Sequence, residues 1–460
     1  MAISFGGLGN GVDFGQIVDF LVQVERAPID RLNKKKDDAQ TKLTDFGSLG
    51  TKLLALQGSA SSLKSRIAFD KSQVDVTSGS AQTLLTATAS STATNGTFSI
   101  TVNQLASANQ IASKASTAVA STSTDIVSGS SAAFTFQVGG GAAQTVNLSA
   151  TDTLDDLVNA INNLGAGVSA TTLNTGSTSS PQFRLVLTSN TPGASNAVTI
   201  STDTTTLDTV TTGTDTFQAA QDSQIVLGSG ANAVTLNRSS NTITDVISGL
   251  TLNLQAVDVN NPVTVTVSRD TAAVKDAITS FVTSFNDVVN FIGDRTTFDV
   301  ETGDRGIFVG ETLPRSILDR LRRNLSEQIS GATTLTGVGQ IGFTTDANNG
   351  TISIDDAALD KQLNENFDSV RDLFIQNTTT GTVGVAQKLV DAVDEIDAVD
   401  TGSLTIRQKT LTDQIDAFTS QITKKEADLV KFEEQQKIKF AKLDGLLSTL
   451  QSQLNLLQRF

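Results

Sequence analysis

A chain of 460 residues and 48.0 kDa, 38% apolar, has room for about three domains and a sizeable core. It holds no Cys, His, Trp or Tyr, which excludes a disulfide framework, thiol and Ser-His-Asp nucleophiles, and the usual zinc, copper and haem ligand sets. Net charge is −15, with a pI near 4.5, so phosphate backbones and anionic membrane surfaces are repelled.

An enzyme is therefore not expected, and no catalytic, cofactor or metal site is assigned. Phe is the sole aromatic, with 22 copies, so the Trp and Tyr platforms of sugar readers are missing. The acidic charge balance argues against nucleic acid as a partner, and no stretch approaches the ~20 apolar residues of a membrane span, so membrane insertion is not expected either. The N-terminus MAISFGGLGNGVDFG has neither a basic nor an apolar leader region, which taken alone reads as cytosolic.

Charge is distributed unevenly, and the distribution sets the domain plan. Residues 76–270 hold 15 charged residues among 195, about 8%, against about 25% elsewhere. That middle is rich in Ser, Thr, Gly and Ala with short β-type runs, while both flanks read as helical. The fold class expected is α+β and multidomain. Terminal helices from both chain ends form a coiled-coil stem, a helical and hairpin domain follows, and β-rich head domains are inserted. The boundaries read are 1–45 with 412–460 for the stem and 46–96 with 271–411 for the helical domain. The head divides into 97–131 with 218–270, and an inserted 132–217.

In chain order, residues 14–25 carry Ile17, Leu21 and Val24 at helical spacing, with Asp13 placed as the cap. Pro28 is expected to end that helix and open another. Leu32, Ala39, Phe46, Leu53, Ala60 and Ile67 then recur every seven residues, with Leu49, Leu56 and Leu63 as a companion series. The head is read as strands: GTFSITVNQL, AFTFQVGGG, QTVNLS, FRLVLTS, NAVTIST, QIVLGS, AVTLN, LTLNLQAV and PVTVTVSR. One helix, TDTLDDLVNAINNLG, interrupts them, capped by Asp152 or Thr153. After residue 270 a helix carries Val274, Ile278, Phe281 and Phe285 on one face. A hairpin with Asn349-Gly350 at its turn comes next. A helix over DDAALDKQLNENFDSVRDLF follows, capped by Asp355.

The last segment carries the longest seam. Ile415, Ile422, Leu429, Gln436, Leu443, Leu450 and Leu457 are spaced by seven, with Phe440, Leu447 and Leu454 beside them. Two helices zipped together in one monomer would use most of this surface. Apolar residues continuing to Phe460 leave a surplus, which points to self-assembly.

Chemical motifs fail on spacing. Asp346 and Asn348 begin like a calcium loop, but Gly350 stands one position early and Ala357 occupies the final ligand position. The Asp155-Asp156 pair sits where carboxylates favour a helix start.

GLGNGVDFGQIVDFLVQVERAPIDRL resembles the N-terminal signature of the bacterial flagellar filament cap family, also called hook-associated protein 2. GTFSITVNQLASANQIAS resembles the strand that begins that family's head. QTVNLSATDTLDDLVNAINNLGAGVSATTL resembles its flagellin-type inserted motif. SSNTITDVISGLTLNL, AITSFVTSFNDVVNFI and IGFTTDANNGTISIDDAALDKQLNENFDSVRDLF resemble its C-terminal domain, in order.

The resemblance implies a structural protein at the distal tip of the filament, secreted and extracellular, that retains exported flagellin and promotes its folding and insertion. It implies a ring homo-oligomer, with five subunits expected and four or six as alternatives. Flagellin and the filament end, hook–filament junction proteins, an export chaperone and the type III export apparatus are the other partners it implies. The residues assigned to leg and filament contact are Ile17, Leu21, Val24, Ile415, Ile422, Leu429, Leu443, Leu450, Leu454 and Leu457. A surface adhesin, suggested by the Ser/Thr-rich head, is the alternative reading, and cell adhesion could be a second role of a cap. A carboxylate-only glycosidase is disfavoured by a middle region without Glu.

Overall fold

The computed structural model describes residues 13–330, 334–376 and 381–457, with residues 456 and 457 described by backbone alone. The chain opens with α1 (Phe14–Lys64) and passes into β1 (Ser72–Ser78), β2 (Leu85–Ala89), β3 (Gly96–Gln104) and β4 (Gln110–Ser113). Next come β5 (Ser131–Val138), β6 (Gln144–Ser149), α2 (Leu154–Leu164), β7 (Val168–Asn174), β8 (Phe183–Ser189) and β9 (Val198–Asp203). The strands continue with β10 (Thr214–Gln218), β11 (Ser223–Leu227), β12 (Val234–Arg238), β13 (Thr242–Ile243), β14 (Leu250–Leu254) and β15 (Asp258–Arg269). Helices return as α3 (Thr271–Thr296) and α4 (Leu313–Ser326), followed by the hairpin β16 (Phe343–Thr345) and β17 (Ile352–Ile354). The chain closes with α5 (Asp356–Glu365), α6 (Phe367–Phe374), α7 (Val385–Asp397) and α8 (Ser403–Leu457).

Two compact units result. One joins the chain up to Phe69 with everything from Thr271 onward; the other is Asp70–Asp270. In the helical unit α1, α3 and α7 share one core, in which Phe46, Leu49, Leu53, Phe281, Phe285 and Leu389 are fully buried.

The β unit has two cores. Around the first, sheets β1-β15-β3-β11-β12 and β13-β14-β2 bury Ile100, Val102, Leu252 and Val265. Around the second, sheets β10-β4-β8-β7 and β6-β5-β9 enclose α2 and bury Phe134, Phe136, Leu157 and Ile161. Alternation explains the pairing: Val263, Val265 and Val267 point inward from β15 while the Thr residues between them do not. Thr153 caps α2 through a reciprocal capping box with Asp156, and Gly165 ends the helix in the left-handed region at φ 59°.

Four expectations change. Helix α1 does not restart at Pro28 but runs through it, with Val18 and Ile29 buried on either side. A proline inside a helix forgoes one backbone bond at about 3 kcal/mol, which packing of this continuous face against α8 offsets. Ile67 drops out of the heptad seam and is 74% exposed. The cause is local: the helix stops at Lys64, and Ser65 turns extended to cap a short 3-10 turn. The helix expected over residues 355–374 is two, α5 capped by Asp355 and α6, parted at Asn366 with φ −132°. The Asn366 side chain donates to Gln362 Oε1 at 2.8 Å, holding that break. Strands β1 and β2, read with the helical domain, pair with β15 and β14 and belong to the β unit.

Candidate assembly surface

Helix α8 lies antiparallel along α1. Phe14 stacks on Phe440 at 5.6 Å at one end, and Gly50 packs against Leu404 at the other. Between these points Val18, Ile29, Leu411 and Ile422 are buried in the helix pair or the core below it. Lys437 sits in this pair with its ammonium raised above the ordinary lysine range, first by its bond to Glu433 and further by Asp19 on α1.

The pair is fastened to the core by a carboxylate between two cations. Glu311, on the loop before α4, accepts from Lys42 of α1 at 2.8 Å and from Arg407 of α8 at 2.8 and 3.1 Å. Burial pushes the Glu311 carboxyl up, but Lys42 and Arg407 outweigh it and hold it below the usual glutamate range. Arg295 of α3 bonds Asp45 of α1 at 2.7 Å and lies 3.6 Å over the Phe291 ring.

The residues assigned from sequence fall into two groups. Leu21, Ile415 and Leu429 are half-buried and Ile422 is buried, so these four serve mainly the chain's own packing. Ile17, Val24, Leu443, Leu450 and Leu454 are exposed. The Leu457 side chain lies outside the described residues. Two neighbours complete the stripes: Phe20 is 65% exposed between Ile17 and Val24, and Leu446 is 59% exposed between Leu443 and Leu450. Spacings of three and four place 17, 20 and 24 on one face of α1, and 443, 446, 450 and 454 on one face of α8. The sequence signal for Phe20 is this same spacing, which Leu21 beside it satisfies equally well.

Because Phe14 meets Phe440, the turns of α8 beyond residue 440 extend past the described start of α1, by ~25 Å at 1.5 Å per residue. Among the described residues no helix is long and apolar enough to cross a membrane, and no group of Asp and Glu could hold a metal ion.

The model of the flagellar hook-associated protein 2 N-terminus matches residues 10–109, and that of the flagellin hook IN motif matches residues 133–191. The flagellar hook-associated protein 2 C-terminus matches residues 220–452, half of the chain. Flagellar hook-associated protein 2 of Aeromonas caviae is 26% identical over 98% of this chain and 97% of its own. That of Vibrio cholerae is 30% identical, but the match takes in 52% of this chain and only 34% of the relative. A crystal structure of the flagellar cap protein FliD D1-D2-D3 domains from Escherichia coli superposes with TM-score 0.62 at 28% identity, covering 80% of this chain and 99% of that one. With its N-terminal, inserted and C-terminal segments all matched in order, the chain belongs to the flagellar hook-associated protein 2 family.

Proposed function

We propose that this chain caps the distal end of the bacterial flagellar filament, as a structural ring that retains exported flagellin and promotes its insertion. The observation that carries this reading is the pair of outward apolar stripes on α1 and α8, in a chain of this family. Each stripe presents three or four large apolar side chains at helical spacing, a pattern that a second helix covers. A ring closes such surfaces against copies of itself and against the helical subunits below. A chamber above the growing end keeps an arriving flagellin chain concentrated where it must fold.

The ring is proposed to have five subunits, with the extracellular filament tip as its site. Delivery is proposed through the type III export apparatus with an export chaperone, and placement beside hook–filament junction proteins. The ten assigned leg residues are proposed to divide into Leu21, Ile415, Ile422 and Leu429 within the stem, and Ile17, Val24, Leu443, Leu450, Leu454 and Leu457 in contact with neighbours. No catalytic role is proposed.

The test is complementation of a motile strain that lacks its own cap. Expression of the unaltered chain restores filaments, while the pair Leu450→Asp and Leu454→Asp releases flagellin into the medium and leaves cells with stubs. The purified double variant keeps its helical and β signature by circular dichroism, since both side chains are exposed. Normal filament growth in the double variant would sink the leg assignment. Failure of the unaltered chain, with no ring in negative-stain images, would sink the cap reading.

A further inference from the structure

We infer that a cavity of about 580 Å³ in the helical unit is a binding site for an apolar group bearing one carboxylate, read by Arg322. It opens between α3, α4 and the β16–β17 hairpin, with residues 336–340 as the remaining wall. Phe285, Leu325, Val338, Phe343 and Ile352 make its lining largely apolar, and its volume falls within the range of small-ligand sites.

Arg322 is what selects the charge. Its one hydrogen bond among the described residues runs from Nη2 to the Asn349 carbonyl at 2.9 Å. Its Nε is buried with no acceptor, an expensive condition for a charged donor. The other half-buried arginines of this unit, Arg295, Arg320, Arg371 and Arg407, each meet a carboxylate. In a chain of net charge −15, carboxylates are not scarce, yet among the described residues none pairs with this guanidinium. Helix α4, which carries Arg322, is itself basic, with four arginines and one aspartate.

The guanidinium is held in place. It lies against Gly350, whose φ of 75° suits glycine and where a Cβ would run into Arg322 itself. A guanidinium at the wall of this cavity, with Nε enclosed, Nη2 on Asn349 and no partner for Nη1 among the described residues, matches a carboxylate on an apolar body. Two sources share that chemistry: a free organic acid, and the C-terminal residue of a polypeptide whose last side chain is apolar.

The experiment titrates the full-length, methyl-labelled protein with 4-phenylbutyrate and its amide. Acetyl-Ala-Ala-Leu-Phe follows, as free acid and as amide. Saturable methyl shifts at Leu325, Val338 and Ile352 are expected with the acids, and binding of the amides is expected to be roughly tenfold weaker. Arg322→Gln is expected to erase the acid–amide difference, and Arg322→Lys to keep part of it. Tighter binding of the peptide acid assigns the site to a polypeptide end, and tighter binding of phenylbutyrate assigns it to a free acid. No saturable shift with either acid, or equal binding of acid and amide, overturns the inference. The acid–amide comparison needs only the unaltered protein, so a variant that fails to fold does not blunt it.

Discussion

At the scale of single residues, Glu311 links three elements that are far apart in sequence, 269 residues from Lys42 and 96 from Arg407. Its side chain is 13% exposed, so replacing it leaves two cations facing each other with little water between them. Glu311→Ala is expected to cost about 1–3 kcal/mol, measured by chemical denaturation. The pH dependence follows from the lowered carboxyl. A group whose folded pKa lies below its unfolded value contributes fully above the unfolded value, and the contribution is lost as pH falls through the folded one. The helix pair is therefore expected to loosen on acidification below the ordinary glutamate range. The drop should be smaller in Glu311→Gln than in the parent, and equal drops would remove Glu311 as a source of the acid sensitivity. Nothing in the stretch around residue 311 marks this role, because no periodicity or spacing within a segment encodes a partner 269 residues away. Asp13 and Thr153 were legible for the opposite reason: a cap bonds backbone within three residues of itself.

At the scale of elements, α1 combines a half that is core with a half that is mostly surface. Phe46, Leu49, Leu53 and Leu56 are fully buried, whereas Ile17, Phe20 and Val24 face outward. Leu53→Ala is accordingly expected to destabilise the helical unit by about 2–5 kcal/mol, seen as a lowered denaturation midpoint. Val24→Asp should leave that midpoint nearly unchanged, and a matching loss there would show that Val24 packs inside the monomer. Pro28 makes a second element-level test. Pro28→Ala restores a backbone donor and is expected to stabilise the first turns of α1, by up to about 3 kcal/mol locally. Slower amide exchange across residues 14–27 would report it; unchanged exchange would mean that these turns are held by packing alone. The heptad seam was readable because burial repeats with the helical period through Ala39, Phe46, Leu53 and Ala60. The passage through Pro28 was not, since the local rule for proline gives way to a tertiary contact with α8. Helix α4 and helix α7 escaped notice for a related reason. They lie in stretches without the long repeats that marked their neighbours, although Ile317, Leu321 and Leu325 in α4 keep a four-residue step.

At the scale of the whole molecule, the composition break was the most informative signal in the sequence. Charge thins out from residue 76 to residue 270, and the compact β unit is Asp70–Asp270. The physical cause is that sheets built from alternating Val and Thr bury one face and hydrate the other with hydroxyls, so ionised groups have few structural duties there. The sequence divides that unit around an inserted 132–217, but which strands build each of the two cores is not legible in it. The split arises from which strands pair: β8 sits between β4 and β7, while β3 sits between β15 and β11. Those neighbours are distant in sequence, and alternation alone does not name them. The same topology carries the last prediction. The unit begins and ends on adjacent antiparallel strands, with Ser72 opposite Arg269, so cutting it out leaves its two ends about 5 Å apart and breaks none of its own sheets. A piece of this size buries roughly 70% of the surface its unfolded chain exposes, enough to hold a core without outside help. Residues 70–270 expressed alone are therefore expected to give a β-type circular dichroism spectrum and a cooperative thermal transition. A disordered spectrum would mean that the β unit depends on the helical unit to fold, and that its low charge reflects burial against a neighbour instead of a self-sufficient fold.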